Sequence, residues 1–229
     1  MKLSIVIPAY NEENRIGKTL PDVIKYTEKL KKNGYPTEII VVNDGSSDKT
    51  LGVLNNFKSK IDIISYAPNH GKGYALREGV KKAQGEYIYI ADADFSTPIE
   101  AVNMFIEKMN GVDCVIGSRA VDTEKIKVSF IRKLFGNMSN LLIRMILGLN
   151  FKDTQCGFKM FNKQCKKYFL ECVNERWGYD FEFLYLLQKN ALKIVEIPVE
   201  WEAVGESHVK PLHYFKTLQE LLHVRRMHG

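Results

Sequence analysis

The sequence lacks any long apolar run. No uncharged apolar stretch approaches the roughly 20 residues that a membrane-spanning helix needs, and no signal-peptide pattern opens the chain. We therefore expect a protein that is either soluble or bound peripherally to a membrane. Internal repeats and low-complexity linkers are also absent, so 229 residues with 45% hydrophobic content predict a single globular domain.

Cysteine is scarce, and its spacing excludes two further classes of protein. The four cysteines form no C-x-x-C pair, which is the spacing of many zinc and redox sites. One of them, Cys114, lies inside an apolar run. We therefore expect buried thiols in a reducing cytosol, with neither disulfides nor zinc. The five histidines show no metal-ligand spacing, and no Ser-His-Asp arrangement is recognisable.

Two glycine motifs are missing as well. Neither G-x-G-x-x-G nor G-x-x-x-x-G-K occurs, which argues against NAD oxidoreductases and P-loop NTPases. The net charge of +6 favours an acidic partner, such as a nucleic acid, an anionic membrane or a phosphorylated substrate. Nucleic acid is disfavoured, because the basic residues are spread along the chain and loop carboxylates would repel a phosphate backbone.

Strand and helix patterns alternate through the first half of the chain. Helices of ten or more residues between short apolar strands predict a parallel, doubly wound α/β sheet. Asn11, Ser47 and Thr97 are expected to cap helices, and Thr97 begins a Thr-Pro-Ile-Glu capping box. The predicted strands are 3–7, 38–42, 61–66, 88–90 and 112–117, and the predicted helices are 12–33, 49–57, 74–83 and 98–109.

Polar loops follow the predicted strands, and the carboxyl ends of parallel strands meet at one edge of the sheet, where ligands bind. Glu12 and Asp44 are suited to accept hydrogen bonds from a base or a ribose. Gly71 and Gly73 allow a close backbone approach, and Lys72 supplies a cation for phosphate. Together these loops imply a nucleoside diphosphate.

Two carboxylates, Asp92 and Asp94, end the apolar strand at 88–90. Side by side they would repel one another unless a cation lies between them. Oxygen ligands favour Mg²⁺ or Mn²⁺, which are bound partly through substrate phosphates. The alternative is that an aspartate caps the next helix, but the Thr97 capping box already provides that cap.

The second half of the chain, about 121–229, is predicted to bind the acceptor, whereas the first half, about 1–120, is predicted to bind the nucleotide sugar. Apolar residues recur at helical spacing over 131–149 beside a basic fringe, which predicts an amphipathic helix that lies on a membrane. An ordinary core helix is the equally favoured alternative. The stretch 212–227 predicts a second surface helix, or a helix that only covers the sheet.

The motifs of the chain resemble those of known families. The first half is similar to the nucleotide-sugar half of family 2 glycosyltransferases, which have the GT-A fold, an open, mostly parallel, Rossmann-like sheet flanked by helices. The second half resembles dolichyl-phosphate β-glucosyltransferases, relatives of the dolichyl-phosphate mannose synthases. The motifs that carry these resemblances are IVIPAYNEE, IIVVNDGSSDKT, NHGKGYALREG, DAD, GSR, DTQCGFKMF, ERWGYDFEFLYLLQ and IPVEW.

The resemblance implies an inverting transfer of a sugar from a nucleotide sugar to a polyprenyl or dolichyl phosphate at a membrane surface. Glucose from UDP-glucose is favoured over mannose from GDP-mannose, because Ser96 stands where mannose synthases carry a glutamine ligand. The alternatives are a family 2 transferase with a hydroxyl acceptor and a peripheral membrane module without catalysis. The N-terminal membrane segment of the eukaryotic glucosyltransferases is missing, so a membrane-anchored partner on the cytoplasmic face is a further expectation.

The resemblance also assigns residues. Asp94, Arg119, Arg132 and Asp180 are the implied catalytic set, with the metal on Asp92 and Asp94 and the lipid phosphate on Arg119 and Arg132. A hydroxyl acceptor would need Asp153 or Asp180 as a base, but for Asp180 a structural or sugar-binding role is favoured. The implied nucleotide-sugar residues are Pro8, Ala9, Tyr10, Glu12, Asp44, Lys72, Asp92, Ala93 and Asp94, and the implied acceptor or sugar region comprises Asp153, Gln155, Trp177 and Asp180.

Overall fold

The computed structural model describes residues 1–119, 130–201 and 212–229, and the side chains of all of these except 130–135, 137 and 212–215. The described residues form one sheet of strands with helices on both faces. The strands are β1 (Leu3–Ala9), β2 (Thr37–Asp44), β3 (Asp62–Tyr66), β4 (Tyr87–Ile90), β5 (Cys114–Ser118), β6 (Lys159–Asn162) and β7 (Ile194–Pro198). The helices are α1 (Ile16–Lys32), α2 (Thr50–Asn55), α3 (Lys72–Lys82), α4 (Val102–Lys108), α5 (Phe130–Leu147), α6 (Lys166–Glu171), α7 (Tyr179–Lys189) and α8 (Leu212–His228).

The sheet has the order β3-β2-β1-β4-β6-β5-β7. Strand β6 is antiparallel to both of its neighbours, whereas β1 to β4 pair in parallel and β5 pairs in parallel with β7. The five strands predicted from the first half of the sequence are all present, but the pattern of the second half did not predict β6 or β7. Because β6 runs backwards, its first residues lie at the edge where the parallel strands end.

Two apolar layers cover the sheet. Side chains from alternate positions of β1 and β2 pack with α1, α2 and α4 on one face and with α3 on the other, as the period of two in a strand requires. Helices α5, α6, α7 and α8 complete the second layer. The four cysteines are free thiols buried in these layers.

All three predicted helix caps are wrong, and two of them lie in the loops after β1 and β2. Asn11 has a positive φ of 54° and lies outside α1, and its side-chain oxygen accepts a hydrogen bond from Ser47 N at 2.9 Å. This bond ties the loop after β1 to the loop after β2, so neither residue caps the helix predicted for it. Asp48 instead accepts from Thr50 N at 2.9 Å where α2 begins.

The predicted capping box at Thr97 does not form. The Thr97 hydroxyl donates to the carbonyl of Glu200 at 2.9 Å, and Pro98 is extended, with ψ at 145°. A 3-10 turn, Ile99–Ala101, then leads into α4. The tertiary hydrogen bond therefore replaces the local cap and ties the loop after Asp94 to the segment that follows β7.

Helix α5 has a buried face and an exposed apolar face. Ile143 and Leu147 are buried against the second layer. On the other side, Met138, Leu141, Leu142 and Met145 are 44 to 71% exposed at a spacing of three and four residues; we call these four residues the α5 stripe. Helix α8 also has a buried face and an exposed face, since Leu221 and Val224 are buried whereas Leu218 and Leu222 are exposed. None of the described helices is long and apolar enough to cross a membrane.

Candidate functional site

The polar side chains singled out in the sequence converge on one edge of the sheet. Tyr10 follows β1, Asp92 and Asp94 follow β4, and Arg119 follows β5. Lys72 is the first residue of α3, which leads back from β3. These strands are parallel to one another, so their carboxyl ends form a single crevice, as the sequence predicts.

An ion pair lies at the centre of this edge. The ammonium of Lys72 is 2.5 Å from Asp92 Oδ1, and the Lys72 side chain is only 17% exposed. The rings of Trp177 and Tyr179 stand 5.6 and 5.9 Å from the same ammonium. Burial lowers the pKa of Lys72, but Asp92 and then Asp180 raise it, and the net shift is upward. Lys72 therefore carries its positive charge at physiological pH.

Asp94 lies two residues beyond Asp92 and is half-buried, with Oδ1 accepting a hydrogen bond from Ser96 N at 3.0 Å. Ala93, between the two aspartates, is buried. In the part of the chain that the structure describes, no group of three or more His, Cys, Asp or Glu side chains surrounds a common point. Two carboxylates with hard oxygen donors fit a divalent cation that takes its remaining ligands from phosphate and water.

Gly157, just before β6, packs directly against the ion pair. A Cβ placed on Gly157 would lie 2.9 and 3.1 Å from the two carboxylate oxygens of Asp92 and 3.1 Å from Lys72 Nζ. Only glycine leaves both side chains where they are. The turn into the antiparallel strand is thus part of the wall of this site.

Asp44, a predicted nucleotide-binding residue, is 2% exposed and holds the loop that precedes Lys72. Its carboxylate accepts hydrogen bonds from Asn69 Nδ2 at 2.6 Å, His70 N at 2.9 Å and Gly71 N at 2.8 Å. These bonds fix the backbone from which Lys72 projects. The structure therefore gives Asp44 a positioning contact, and its contact with a nucleotide stays a prediction.

Gly71 and Gly73 do allow a close backbone approach, but the approaching backbone is the protein's own. A Cβ on either glycine would lie 2.5 to 2.6 Å from a carbonyl oxygen of segment 174–176. Gly73 N and Tyr74 N donate to carbonyls of the same segment at 3.0 Å. The backbone N–H groups in the first turn of α3 thus find their acceptors in the segment that leads to Trp177. These hydrogen bonds hold Trp177 near Lys72.

The end of β1 supplies the remaining predicted nucleotide residues. Ala9 is buried, Pro8 is half-buried and Tyr10, directly after β1, is 46% exposed. Glu12 forms a two-pronged ion pair with Arg15, with N···O distances of 2.6 and 2.8 Å. The role predicted for Glu12 toward a base or ribose stays a prediction, whereas its pairing with Arg15 was not foreseen.

Arg119 and Asp153 form a second, two-pronged ion pair. Arg119 Nε and Nη2 lie 2.8 and 3.0 Å from the two oxygens of Asp153, and Gln155 N donates to the same carboxylate at 3.1 Å. The Trp201 ring stands 5.8 Å from the guanidinium. Burial raises the pKa of Asp153, but Arg119 outweighs that effect and holds this pKa below its usual range. Arg132, the other predicted lipid-phosphate residue, lies in α5, but its side chain is outside the described residues.

Asp180 is buried in an ion pair that the sequence did not predict. It is 4% exposed, and Lys159, the first residue of β6, donates from its ammonium to Asp180 Oδ1 and to the carbonyl of Cys156. Burial raises the pKa of Asp180, and Lys159 and Lys72 oppose that rise. The arrangement gives Asp180 a structural contact; a direct contact with sugar or acceptor stays a prediction.

Sequence reasoning missed Lys159 and Gly157, although both lie inside the quoted motif DTQCGFKMF. The available signal was a lysine flanked by apolar residues next to a glycine, a combination that is costly in a strand unless the lysine has a buried partner.

Comparison with known proteins decides the family. Residues 4–169 match the family model described as glycosyl transferase family 2. A dolichyl-phosphate beta-glucosyltransferase of Trichomonas vaginalis is 37% identical over 97% of this chain and 72% of its own length. The human dolichyl-phosphate beta-glucosyltransferase is 33% identical over 98% of this chain and 75% of its own length.

The chain belongs to glycosyl transferase family 2 and, within it, groups with the dolichyl-phosphate β-glucosyltransferases. It is a glycosyltransferase, as the motifs predict. Among solved structures, glucosyl-3-phosphoglycerate synthase of Mycobacterium tuberculosis, in complex with UDP, aligns over 100% of this chain and 81% of its own, with a TM-score of 0.69 and 17% identity. Mannosyl-3-phosphoglycerate synthase of Rubrobacter xylanophilus aligns over 99% of this chain and 74% of its own, with a TM-score of 0.66 and 19% identity. The predicted GT-A architecture is thereby confirmed.

Proposed function

We propose that this family 2 enzyme transfers glucose from UDP-glucose to the phosphate of a dolichyl or other polyprenyl lipid, with inversion at the anomeric carbon. The observation that carries the proposal is the Lys72, Asp92 and Asp94 cluster at the carboxyl edge of the sheet. The names of the relatives support glucose and dolichyl phosphate.

The donor side of the proposal rests on charge. A nucleoside diphosphate is an anion, and the crevice offers it the ammonium of Lys72, which Asp44, Gly157 and segment 174–176 hold in place. Asp92 and Asp94 would hold a divalent cation. A bound Mg²⁺ or Mn²⁺ supplies positive charge to the leaving diphosphate. A structure of M. tuberculosis glucosyl-3-phosphoglycerate synthase in complex with Mn²⁺ and UDP-glucose supports the use of a divalent metal.

The acceptor side of the proposal rests on the fact that a phosphate acceptor does not need a general base. A phosphomonoester has a second pKa near 6, so its attacking oxygen is largely deprotonated at neutral pH and no general base is required. That oxygen attacks the anomeric carbon as the bond to the diphosphate breaks, and UDP leaves. Arg119, 34% exposed and aligned by Asp153, would bind the incoming phosphate. Because no base is required, the burial of Asp180 in an ion pair is compatible with this chemistry.

The lipid acceptor requires contact with a membrane surface. The α5 stripe exposes four apolar side chains in a row on one face of the helix, and Arg144 is half-exposed nearby. With a net charge of +6, an anionic surface is the complementary partner. We place the enzyme peripherally on the cytoplasmic face, and the four free, buried cysteines support a reducing compartment.

A transfer assay tests the proposal. Labelled UDP-glucose or GDP-mannose is incubated with the protein, Mg²⁺ or Mn²⁺ and a short polyprenyl phosphate, and the products are extracted into organic solvent. We expect glucose label in the lipid phase, in a form that mild acid releases as free sugar. Mannose label in the lipid phase would make the enzyme a mannose synthase, and label in a water-soluble product would indicate a hydroxyl acceptor. Absence of transfer with every donor would favour a module without catalysis.

A further inference from the structure

A buried lysine in the middle of the sheet is the starting point. Lys159 begins β6, which lies between β4 and β5, and it is 1% exposed. Lysine is almost never buried to this extent without a partner, because removing an ammonium from water is costly. Its partners are the carboxylate of Asp180 and the carbonyl of Cys156.

This pair belongs to a larger group of charges. The carboxylates of Asp92, Asp180 and Asp94 all raise the pKa of Lys72, so each lies within electrostatic reach of its ammonium. The residue before Asp180, Tyr179, places its ring 5.9 Å from the Lys72 ammonium. Two ammonium groups and three carboxylates thus lie in one partly buried region, in which charge interactions are stronger than in bulk water.

We infer that Lys159 is the fixed counter-ion of Asp180, and that this pairing leaves Lys72 available to the diphosphate of the nucleotide sugar. The inference rests on the proposed function, because it takes a diphosphate to be the ligand of Lys72. Lys159 is a positioning residue, since it reaches the donor only through Asp180 and Lys72.

The consequence of removing Lys159 follows from the geometry. Without Lys159, the other ammonium that faces Asp180 is Lys72, and Asp180 draws it away from Asp92 and from the diphosphate. The bare carboxylate also repels the diphosphate. Removing Asp180 has the opposite effect, because a carboxylate that competes for Lys72 is gone while Lys159 stays positive.

A purely structural bond between β6 and α7 predicts a different pattern. In that case Lys159→Met and Asp180→Asn both lower thermal stability, and neither changes the UDP affinity of the folded protein. The sign of the change in UDP affinity therefore separates the two explanations.

The experiment is a calorimetric titration with UDP at pH 8 in the presence of Mn²⁺, beside circular dichroism and thermal unfolding. The variants are Lys159→Met, Asp180→Asn and the double variant. Lys163→Met, which removes one exposed positive charge four residues along the chain, is the matched control. We expect the Kd for UDP to rise roughly tenfold in Lys159→Met, to fall measurably in Asp180→Asn, and to return close to the wild-type value in the double variant.

If Lys159→Met does not fold, Asp180→Asn carries the test. Tighter UDP binding by Asp180→Asn then supports the inference, and an unchanged or weaker affinity overturns it. Wild-type binding of UDP with an unchanged Kd in folded Lys159→Met overturns the inference and leaves the proposed function standing. Absence of UDP binding by the wild-type protein overturns both.

Discussion

At the scale of single residues, the site depends on side chains that hold other side chains in place. Asp44 holds the loop before Lys72, and Gly157 leaves room for the ion pair of Lys72 with Asp92. Asp153 aligns Arg119. Such contacts matter because misplacing a binding group by about 1 Å can cost as much as two orders of magnitude in rate.

Gly157→Ala tests the packing against the ion pair. The new methyl group would displace Asp92 and Lys72 from their positions near 3 Å, so we expect UDP-glucose affinity in the presence of Mn²⁺ to fall by about tenfold, by titration calorimetry. Gly52→Ala is the control, because nothing lies within 4 Å of a Cβ at that position. Equal affinity in the two variants would contradict the role of Gly157.

Asp153→Asn tests the alignment of Arg119. We expect the KM for polyprenyl phosphate to rise at least several-fold, with the donor KM unchanged, because the guanidinium loses its two-pronged partner. Removing one partner of a buried ion pair lowers the free energy of unfolding by about 3 to 5 kcal/mol. Because Arg119 is one-third exposed, we expect a smaller loss of about 1 to 3 kcal/mol in Asp153→Asn.

The same variant has a signature in its pH dependence. The pKa of Asp153 is lower in the folded protein than in the unfolded chain, so its stabilising effect is complete above about pH 4 and is lost as pH falls through the folded pKa. The difference in free energy of unfolding between wild type and Asp153→Asn should therefore shrink below about pH 4. A constant difference in acid denaturation curves would contradict the ion pair.

At the scale of elements, the sequence predicts the first half of the fold well and the second half poorly. Strands β1 to β5 carry apolar runs, and helical periodicity separates most of them. Strand β6 has only four residues and begins with a buried lysine, and β7 is mostly half-buried. Neither presents a periodic pattern, because tertiary contacts rather than local preference place them.

The candidate site shows the same division. The sequence singles out residues in the loops after predicted strands, such as Asp92 and Lys72, and the structure brings these two together in an ion pair. Contacts made by Lys159, Gly157 and segment 174–176 were not found, because they arise from an antiparallel strand and a loop distant in sequence. The helix caps failed for a related reason, since Asn11 and Thr97 bond to other segments.

Helix α5 carries the prediction at this scale. Replacing Leu141 and Met145 of the α5 stripe by aspartate should weaken binding to vesicles of phosphatidylcholine and phosphatidylserine by about tenfold or more, since each apolar side chain contributes about 1.5 to 3 kcal/mol when fully buried. UDP affinity should not change. Met104→Asp, on α4 and 41% exposed, is the control in the same co-sedimentation assay. Vesicle binding equal to that of the wild type would show that the α5 stripe does not contact the membrane.

At the scale of the whole molecule, both halves of the chain build one crevice. The first half supplies Lys72 and the two aspartates, and the second half surrounds them with Gly157, Trp177 and the Lys159 pair. The antiparallel strand makes this possible, because it starts at the edge where the parallel strands end.

The most direct test of the account is a calorimetric titration of the protein with UDP-glucose, with and without Mn²⁺. We predict that Mn²⁺ strengthens binding in the wild type, and that Asp94→Ala loses most of this gain, by about 10- to 100-fold in affinity. Asp62→Ala, an exposed aspartate whose side chain is 51% exposed, should behave like the wild type. If Mn²⁺ does not strengthen the binding of UDP-glucose to the wild-type protein, the claim that Asp92 and Asp94 form a metal-dependent donor site is wrong.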